Sequence, residues 1–320
     1  MSTLLERIVA RVSMDGHDGH SGARLERVTL DDGRRMVLKH VDPATDLGMR
    51  LSGDHLGREA TLWESGVLDR LPADVGHAVV DVARGERISI LMRDVGHATL
   101  GWGDPLDARQ VRRIVAAMRS LHRTFAGVHI PALCDLDTLL GAFHPHRLRA
   151  LAGDIDNPLP GIARRGWEAL ADLLPGHQFD AVERAAADPT VLAAMLRKTG
   201  TTLLHADPWP VNIALDRDQV IFLDWGVATA GPPALDLALF LWGASGTLTV
   251  HPDAVIDEFR AHADAHDLAA LDACLFAALV LYGWDKAALV ANASSPSTRQ
   301  RRHDDLHWWV AQAKAMGASF

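Results

Sequence analysis

The sequence predicts an α+β protein with two lobes, a small antiparallel-sheet N-terminal lobe containing one helix and a larger, mainly helical C-terminal lobe. The chain has 320 residues, which is enough for two lobes with a cleft between them. Residues 1 to about 95 are rich in strand and turn signals, whereas the chain beyond Gly103 is rich in Ala and Leu at helical spacing. We therefore expect an N-terminal lobe over residues 1–95 and a C-terminal lobe over residues 96–320.

The first part of the N-terminal lobe is predicted to be three strands. A weak apolar stretch at 8–14 precedes two apolar segments, Arg24–Leu30 and Arg35–Val41. These segments flank Asp31-Asp32-Gly33, and an Asp-Gly pair tolerates the positive φ angles that tight hairpin turns require. The three segments are therefore expected to form neighbouring antiparallel strands, with Lys39 on the third.

The remainder of this lobe is predicted to be one helix and two further strands. Apolar residues recur three or four positions apart over residues 54–71, and Pro72 would end the helix. The predicted apolar face consists of Leu56, Ala60, Trp63, Val67 and Leu71. Strands are expected at 78–82 and 88–92, followed by a hinge at 93–96.

The C-terminal lobe is predicted to be mostly helical. Asp107 is a suitable N-cap for a helix that continues to about residue 125, with an apolar face that includes Val111 and Leu121. A segment punctuated by Pro and Gly covers 131–161, and further helices are expected up to about residue 198. Three or four helices rich in Ala and Leu would complete the chain.

Composition excludes several classes of partner. The net charge of −9, with no basic run interleaved with aromatic residues, argues against nucleic-acid binding. No uninterrupted apolar stretch of membrane-spanning length occurs, and the N-terminus lacks the apolar segment of a signal peptide. Cys134 and Cys274 are expected to be reduced and buried. We therefore expect a cytoplasmic protein with no membrane or nucleic-acid partner.

Two short motifs predict the chemistry of the protein. The run His205-Ala206-Asp207-Pro208-Trp209-Pro210-Val211-Asn212 precedes Leu223-Asp224-Trp225-Gly226, and residues 213–223 between them have the pattern of a tight hairpin with a polar turn. A hairpin returns the chain to its starting point, so Asn212 and Asp224 should lie side by side at its open end. Two oxygen ligands there could hold one hard cation while Asp207 faces a substrate hydroxyl.

Lysine usage singles out Lys39. Of the 32 basic residues, 28 are arginine, and Lys39 is the only lysine before residue 198. A compact ammonium group, rather than a guanidinium, is consistent with a specific role, although chance is the other explanation.

In these features the chain resembles the aminoglycoside phosphotransferase family, small-molecule kinases that share a two-lobed fold with protein kinases and choline kinases. The resemblance rests on the His-x-Asp-x4-Asn and Asp-Trp-Gly pair, with a Gly-rich turn, Lys39 and a hinge in the same order. It implies a protein-kinase-like fold. It also implies that Asp207 is the catalytic base and that Asn212 and Asp224 are the magnesium ligands.

The resemblance further implies a nucleotide site built from the N-terminal lobe. Lys39 would hold the α- and β-phosphates, and Glu59 would pair with its ammonium group. Glu64 is an alternative partner, but it lies about 140° away around the same helix, so only one of the two can face the cleft. The other nucleotide contacts would be Ser21 and Gly22 in the Gly-rich turn and Arg93 and Val95 at the hinge.

Two further residues are expected to support the catalytic loop. His205 is interpreted as structural, and Asp236 as the acid that holds the loop backbone, with a simple helix N-cap as the alternative for Asp236. The chain departs from the family at Ala206, where glycine is usual. It also departs at His17 and His20, which leave a metal-binding function for residues 15–20 as a minor alternative.

The resemblance implies a phosphotransferase that uses ATP or GTP with Mg²⁺ and acts on a hydroxyl of a small molecule. An antibiotic, such as an aminoglycoside or another natural product, is the favoured acceptor, which would make the protein a resistance enzyme. The alternatives are a metabolite kinase acting on a sugar, amino alcohol or homoserine-like substrate, and an inactive kinase-like binding protein. Six acidic residues and one arginine over 251–272 are consistent with a cationic acceptor.

Overall fold

The computed structural model describes residues 3–14, 22–152 and 157–317. Its N-terminal lobe contains the strands β1 (Ile8–Ser13), β2 (Arg24–Leu30), β3 (Arg35–Val41), β4 (Val75–Gly76), β5 (Val79–Arg84) and β6 (Ile88–Arg93). Five of them form one antiparallel sheet in the order β1-β2-β3-β6-β5. The predicted antiparallel sheet is confirmed, and Gly33 has the positive φ of 82° that the Asp-Gly turn requires.

The predicted helix over 54–71 is wrong in its bounds. The lobe has two short helices, α1 (Leu47–Leu51) and α2 (Arg58–Glu64), and a separate 3-10 turn at Leu68–Arg70. Gly57 and Gly66 flank α2 with φ angles of 73° and 71°, a conformation that ends a helix. Leu56, which we expected on the packed face, therefore lies outside the helix and is 63% exposed.

The C-terminal lobe is mainly helical, as predicted. Its helices are α3 (Ala108–Thr124), α4 (Leu136–Leu140), α5 (Pro145–Ala152), α6 (Leu159–Leu173), α7 (Gly176–Ala187), α8 (Thr190–Arg197), α9 (Pro233–Ala244), α10 (Pro252–Arg260), α11 (Ala265–Ala291) and α12 (Pro296–Gly317). Asp107 caps α3 in a capping box with Gln110. Cys134 and Cys274 are free and buried, as expected.

Helix α11 forms the centre of this lobe, packed against α6, α9 and α12. It is long and apolar enough to cross a membrane, but 78% of its most apolar window is buried inside the protein. Its apolar residues are therefore accounted for as the core of the lobe.

The predicted hairpin between the two motifs is present. Strands β8 (Ile213–Asp216) and β9 (Gln219–Phe222) pair antiparallel around a two-residue turn, and the N–H of Leu223 donates to the carbonyl of Asn212 at 2.8 Å. Strand β4 pairs in parallel with β9, so a segment from the first 95 residues also joins this hairpin. The last two strands, β7 (Thr202–Leu204) and β10 (Thr229–Gly231), pair antiparallel and bracket the two motifs.

Candidate active site

The loop that carries Asp207 is held by one buried carboxylate. Asp236 lies inside α9 and is fully buried, and its two oxygens accept from the backbone N–H groups of His205, at 3.0 Å, and Ala206, at 2.8 Å. The ring Nε2 of His122 lies 2.9 Å from the same carboxylate. Because Pro232 occupies the N-cap position of α9, the carboxylate of Asp236 serves the loop rather than the helix end.

Ala206 adopts the left-handed conformation, with a φ of 65°, immediately before Asp207. A side chain costs about 1–2 kcal/mol in this conformation relative to glycine. The hydrogen bonds that the backbone N–H groups of His205 and Ala206 donate to Asp236, and the complete burial of Ala206, hold the strained geometry in place.

His205 links the two motifs. Its Nε2 lies 2.8 Å from the carbonyl of Leu223, and the N–H of Asp207 donates to its Nδ1 at 3.3 Å. Burial lowers the pKa of His205, which favours the neutral ring. A neutral ring with its proton on Nε2 satisfies both contacts, so His205 positions the loop and the end of the hairpin together.

Asp207 and Asn212 form a direct pair. The Nδ2 of Asn212 donates to the Oδ2 of Asp207 at 2.7 Å and to its backbone carbonyl at 3.0 Å. The side chain of Asp207 is only partly accessible. Burial and the negative charge of Asp224 raise the pKa of Asp207 to about 7, and the hydrogen bond from Asn212 opposes that rise.

Lys39 lies between two carboxylates. Its Nζ is 3.0 Å from the Oε2 of Glu59 and 2.8 Å from the Oδ1 of Asp224. Glu64 faces away from this site and pairs with Arg84 at 2.7 Å. Lys39 and Glu59 are buried, whereas the side chain of Asp224 is 43% exposed, so Asp224 forms the open edge of the cluster.

The electrostatics of this cluster are coupled through Lys39. Burial alone would lower the pKa of Lys39, but the carboxylates of Asp224 and Glu59 raise it above its usual value. Burial would raise the pKa of Asp224, yet Lys39 holds it below its usual value. Burial also raises the pKa of Glu59, against the attraction of Lys39. Lys39 and Asp224 are therefore the pair most strongly held in the charged state.

The donor set fits a hard divalent cation. Lys39 pairs with the carboxylates of Glu59 and Asp224, and the pKa of the nearby Asp207 is raised by burial and then by the charge of Asp224. Both protons of the Asn212 amide group point towards Asp207, so its Oδ1 remains available as a ligand. One amide oxygen and one carboxylate, completed by phosphates and water, suit Mg²⁺. Among the described residues, no group of three or more His, Cys, Asp and Glu side chains is arranged to hold a metal.

The chain can also be assigned to a family. A model described as the phosphotransferase enzyme family matches residues 18–273 of the 320 residues. The chain belongs to this family. A search of curated protein sequences found no match.

Solved structures with the same fold include kinases for several small molecules. Choline kinase LicA from Streptococcus pneumoniae has a TM-score of 0.55 at 11% identity, covering 96% of this chain and 95% of that one. A spectinomycin phosphotransferase, in complex with ADP and spectinomycin, has a TM-score of 0.53 at 15% identity, covering 96% and 92%. An aminoglycoside phosphotransferase from Alicyclobacillus acidocaldarius has a TM-score of 0.50 at 16% identity, covering 98% and 91%. These likenesses confirm the predicted protein-kinase-like fold.

Of the remaining residues predicted to contact the nucleotide, Gly22, Arg93 and Val95 are among the described residues. Ser21 and residues 15–20, including the alternative metal site, lie outside the described residues. Gly22 has a φ of 102°, and a Cβ there would lie 3.7 Å from the Cα of Asp46. The backbone N–H of Arg93 donates to the carbonyl of Ala78. The carbonyl of Val95 accepts from the backbone N–H groups of Ala98 and Thr99. The N–H of Val95 has no acceptor among the described residues.

Two buried polar residues of the N-terminal lobe were missed by sequence reasoning. Asp46 is buried at the N-cap of α1, and burial raises its pKa to about 6, a shift that Lys39 opposes. Arg58 is buried and donates to the carbonyl of Gly226 and, at 2.9 Å, to the carbonyl of Ala132. Arg58 therefore ties α2 to the Asp-Trp-Gly segment. The spacing from Asp46 to Met49 is an N-cap signal, but no local signal marks the contacts of Arg58.

Aromatic residues lie beside Asp207. The ring of Trp209 is 5.4 Å from the rings of both Trp102 and Tyr282, centroid to centroid. Burial raises the pKa of Tyr282 well above its usual value, with the charge of Asp207 as the next cause. We call Trp102, Trp209 and Tyr282 the aromatic wall. The indole N–H of Trp209 is buried, and hydrogen bonding with Trp209 opposes the rise in the pKa of Tyr282.

The acidic segment 251–272 has mainly local contacts. Asp257 pairs with Arg260, Glu258 with His262, and Asp264 caps α11. Asp253 accepts from the indole of Trp308 at 3.0 Å. These contacts account for four of the six acids, so the segment provides no direct argument for a cationic acceptor.

Proposed function

We propose that the protein transfers the γ-phosphate of ATP to a hydroxyl group of a small molecule and requires Mg²⁺. The observation that carries this proposal is the position of Lys39, buried between Glu59 and Asp224 beside the paired Asp207 and Asn212. This arrangement provides a cation for phosphates, an oxygen pair for a metal and a carboxylate for the acceptor.

Asp207 would orient the acceptor hydroxyl and take its proton as the oxygen attacks the γ-phosphorus. Only the ionised carboxylate can accept that proton, so its raised pKa of about 7 places the base close to neutral pH. Asn212 holds one oxygen of Asp207 by its 2.7 Å hydrogen bond, leaving the other oxygen for the hydroxyl. Asp236 and His205 fix the backbone on which Asp207 stands.

Lys39 would contact the α- and β-phosphates, with Glu59 holding its ammonium group in place. Asn212 and Asp224 would hold the magnesium ion, which would supply positive charge against the phosphates. In the present structure Asp224 is paired with Lys39 at 2.8 Å. The group proposed to contact the phosphates and the group proposed to hold the metal are therefore already adjacent.

Adenine is the base that we propose for the donor nucleotide. The N–H of Val95, which is free of acceptors among the described residues, lies directly after β6 and would donate to the base, while the backbone around Arg93 would provide its remaining polar contacts. The related fold of the spectinomycin phosphotransferase is known with ADP, which favours ATP over GTP. Gly22, and Ser21 beside it, would offer backbone N–H groups to the terminal phosphates.

The acceptor would lie against the aromatic wall. Trp102 is 45% exposed and packs against Trp209, which follows Asp207 by two residues. Aromatic faces suit sugar rings and alkylammonium groups, and both can carry the required hydroxyl. A natural-product antibiotic is therefore the acceptor that we favour. An amino alcohol or another hydroxylated metabolite is the second candidate, supported by the same faces.

The same proposal places the protein in the cytoplasm, where ATP is available, with neither nucleic acid nor a membrane as a partner. The net charge of −9 supports the expectation that nucleic acid is not a partner.

A phosphorylation screen tests the proposal. The protein would be incubated with MgATP and a panel of aminoglycosides, other hydroxylated antibiotics, amino alcohols and sugars, and ADP release would be measured. Asp207→Asn should abolish acceptor-dependent ADP release, whereas Asp218→Asn, in the turn of the β8–β9 hairpin, should leave it within twofold. Equal release by the wild type and Asp207→Asn would rule out Asp207 as the base.

A further inference from the structure

A cavity lies behind the catalytic loop, on the far side of the residues that anchor it. Its volume is about 480 Å³, within the range of sites that bind small ligands. It lies between α3, the segment that links α8 to β7, and the first turns of α9 and α11, with α10 covering one side. Apolar side chains form much of its wall, among them Val115, Met118, Leu237 and Phe259.

The lining of the cavity also includes three basic residues. Arg119, Arg123 and Lys198 all line the cavity, and none has a carboxylate within ion-pair distance among the described residues. Arg119 is half-buried and Arg123 and Lys198 are exposed, so a ligand's charged group would meet them at the solvent-facing side of the cavity. The acids that line it are Asp264, whose carboxylate is used as the N-cap of α11, and Asp267, whose pKa is raised by burial and by Asp264.

An apolar cavity with unpaired cations is complementary to a molecule with an apolar body and a negative head. The apolar part would displace water from the wall, and the head would bind the arginines and the lysine. We propose that this cavity binds small amphipathic anions, namely molecules with a short hydrocarbon body and a carboxylate or phosphate-like group. This site is separate from the proposed nucleotide and acceptor sites and does not depend on the proposed function.

The position of the cavity gives the site a direct connection to the catalytic loop. His122 lines the cavity and its Nε2 lies 2.9 Å from the carboxylate of Asp236. That carboxylate accepts the backbone N–H groups of His205 and Ala206. A ligand in the cavity would therefore contact the side chain that lies one hydrogen bond behind the anchor of the loop.

Calorimetric titration of the full-length protein with octanoate tests the proposal. Octanamide, which has the same body without the charge, and acetate, which has the charge without the body, are the matched ligands. We expect saturable one-to-one binding of octanoate, with octanamide and acetate each at least tenfold weaker. No octanoate binding at millimolar concentration, or equal binding of octanamide, would overturn the proposal.

Two double variants of arginines on α3 distinguish binding in the cavity from general attraction between charges. Arg119→Gln with Arg123→Gln should weaken octanoate at least tenfold. Arg109→Gln with Arg112→Gln, on the same helix but away from the cavity, should change the affinity for octanoate less than twofold. Equal losses in the two double variants would contradict a localised site. Ala263→Trp, which fills the cavity from a partly exposed position, should also abolish binding while the thermal transition is retained.

Discussion

Lys39 and Lys286 are both buried, and their surroundings differ in a way that separates a proposed functional role from a stabilising one. Lys286 on α11 donates to the Oδ2 of Asp305 and the Oγ of Ser245, both at 2.6 Å. It also lies 4.7 Å from the centre of the Trp242 ring. One carboxylate and two neutral groups therefore satisfy one ammonium, and the charge is balanced without any ligand.

Lys39 has the opposite balance. It has two carboxylates within 3.0 Å, with Asp207 nearby, and Asp224 is open to solvent. Excess negative charge beside an accessible carboxylate is costly unless a cation joins the cluster. The comparison indicates that Lys286 stabilises the packing of α11 on α12, whereas the carboxylates around Lys39 carry an excess of negative charge that the proposed Mg²⁺ would balance.

The largest expected effect is the loss of activity in Lys39→Met. Removing the cation that we propose contacts the phosphates should lower kcat/KM by about 100- to 1000-fold, the usual cost of one charge-stabilising donor at the reacting centre. Lys286→Met should leave kcat/KM of the folded protein within twofold. Steady-state kinetics with an accepted substrate measures kcat/KM of both variants. A comparable loss of kcat/KM in the two would contradict the distinction between the lysines.

The second expected effect is on stability, at Lys286. Lys286→Met leaves Asp305 without its cation, which should lower the free energy of unfolding by about 3 kcal/mol. Adding Asp305→Leu should recover most of that loss, because no unpaired charge then remains. Urea unfolding of the single and double variants measures this. If the losses in the free energy of unfolding caused by Lys286→Met and Asp305→Leu are additive in the double variant, Lys286 and Asp305 are not energetically coupled.

A third expectation concerns pH. The pKa of Asp207 is raised to about 7, so kcat/KM for MgATP should fall about tenfold per unit below pH 7 as the base takes up a proton. A folded-state pKa above the unfolded value means that ionised Asp207 destabilises the free protein, and that cost grows as pH rises from about 4 to 7. The melting temperature of Asp207→Asn should therefore exceed that of the wild type more at pH 8 than at pH 5. A constant difference would exclude the raised pKa.

The smallest expected effect distinguishes the two glutamates of α2. Glu59→Gln weakens the hold on Lys39 and should lower kcat/KM about tenfold, the effect of one charge-assisted hydrogen bond. Glu64→Gln breaks only the exposed pair with Arg84 and should change kcat/KM less than twofold. Equal effects of the two substitutions would contradict the assignment of Glu59.

The sequence predicts the parts of the site that are local in the chain. Asn212 and Asp224 come together because a short hairpin with a polar turn returns the chain on itself, and that pattern is readable from alternating residues. The five-stranded sheet follows from similar local signals. The predicted helix over 54–71 was wrong because its apolar spacing continued through Ser65-Gly66, where the positive φ of glycine ends α2.

Contacts between distant segments could not be predicted from the sequence. Arg58 donates to a carbonyl 168 positions away, and the pairing of Lys286 with Asp305 depends on how α11 packs on α12. The aromatic wall joins residues from three separate segments. Such contacts depend on tertiary packing, and no local pattern of residue types specifies them. The motif spacing that predicts a role for Asp207 is local in the same way. It therefore does not specify the acceptor, whose contacts depend on tertiary packing.

The most direct test of the central claim is calorimetric titration of ATP into the protein with and without Mg²⁺. The account predicts that Mg²⁺ tightens ATP binding at least tenfold in the wild type and in Asp218→Asn. In Asp224→Asn this gain should be lost while a weaker, metal-independent binding through Lys39 remains. Equal enhancement by Mg²⁺ in Asp224→Asn, or no enhancement in the wild type, would contradict the assignment of Asp224 and Asn212 as the metal site beside Lys39.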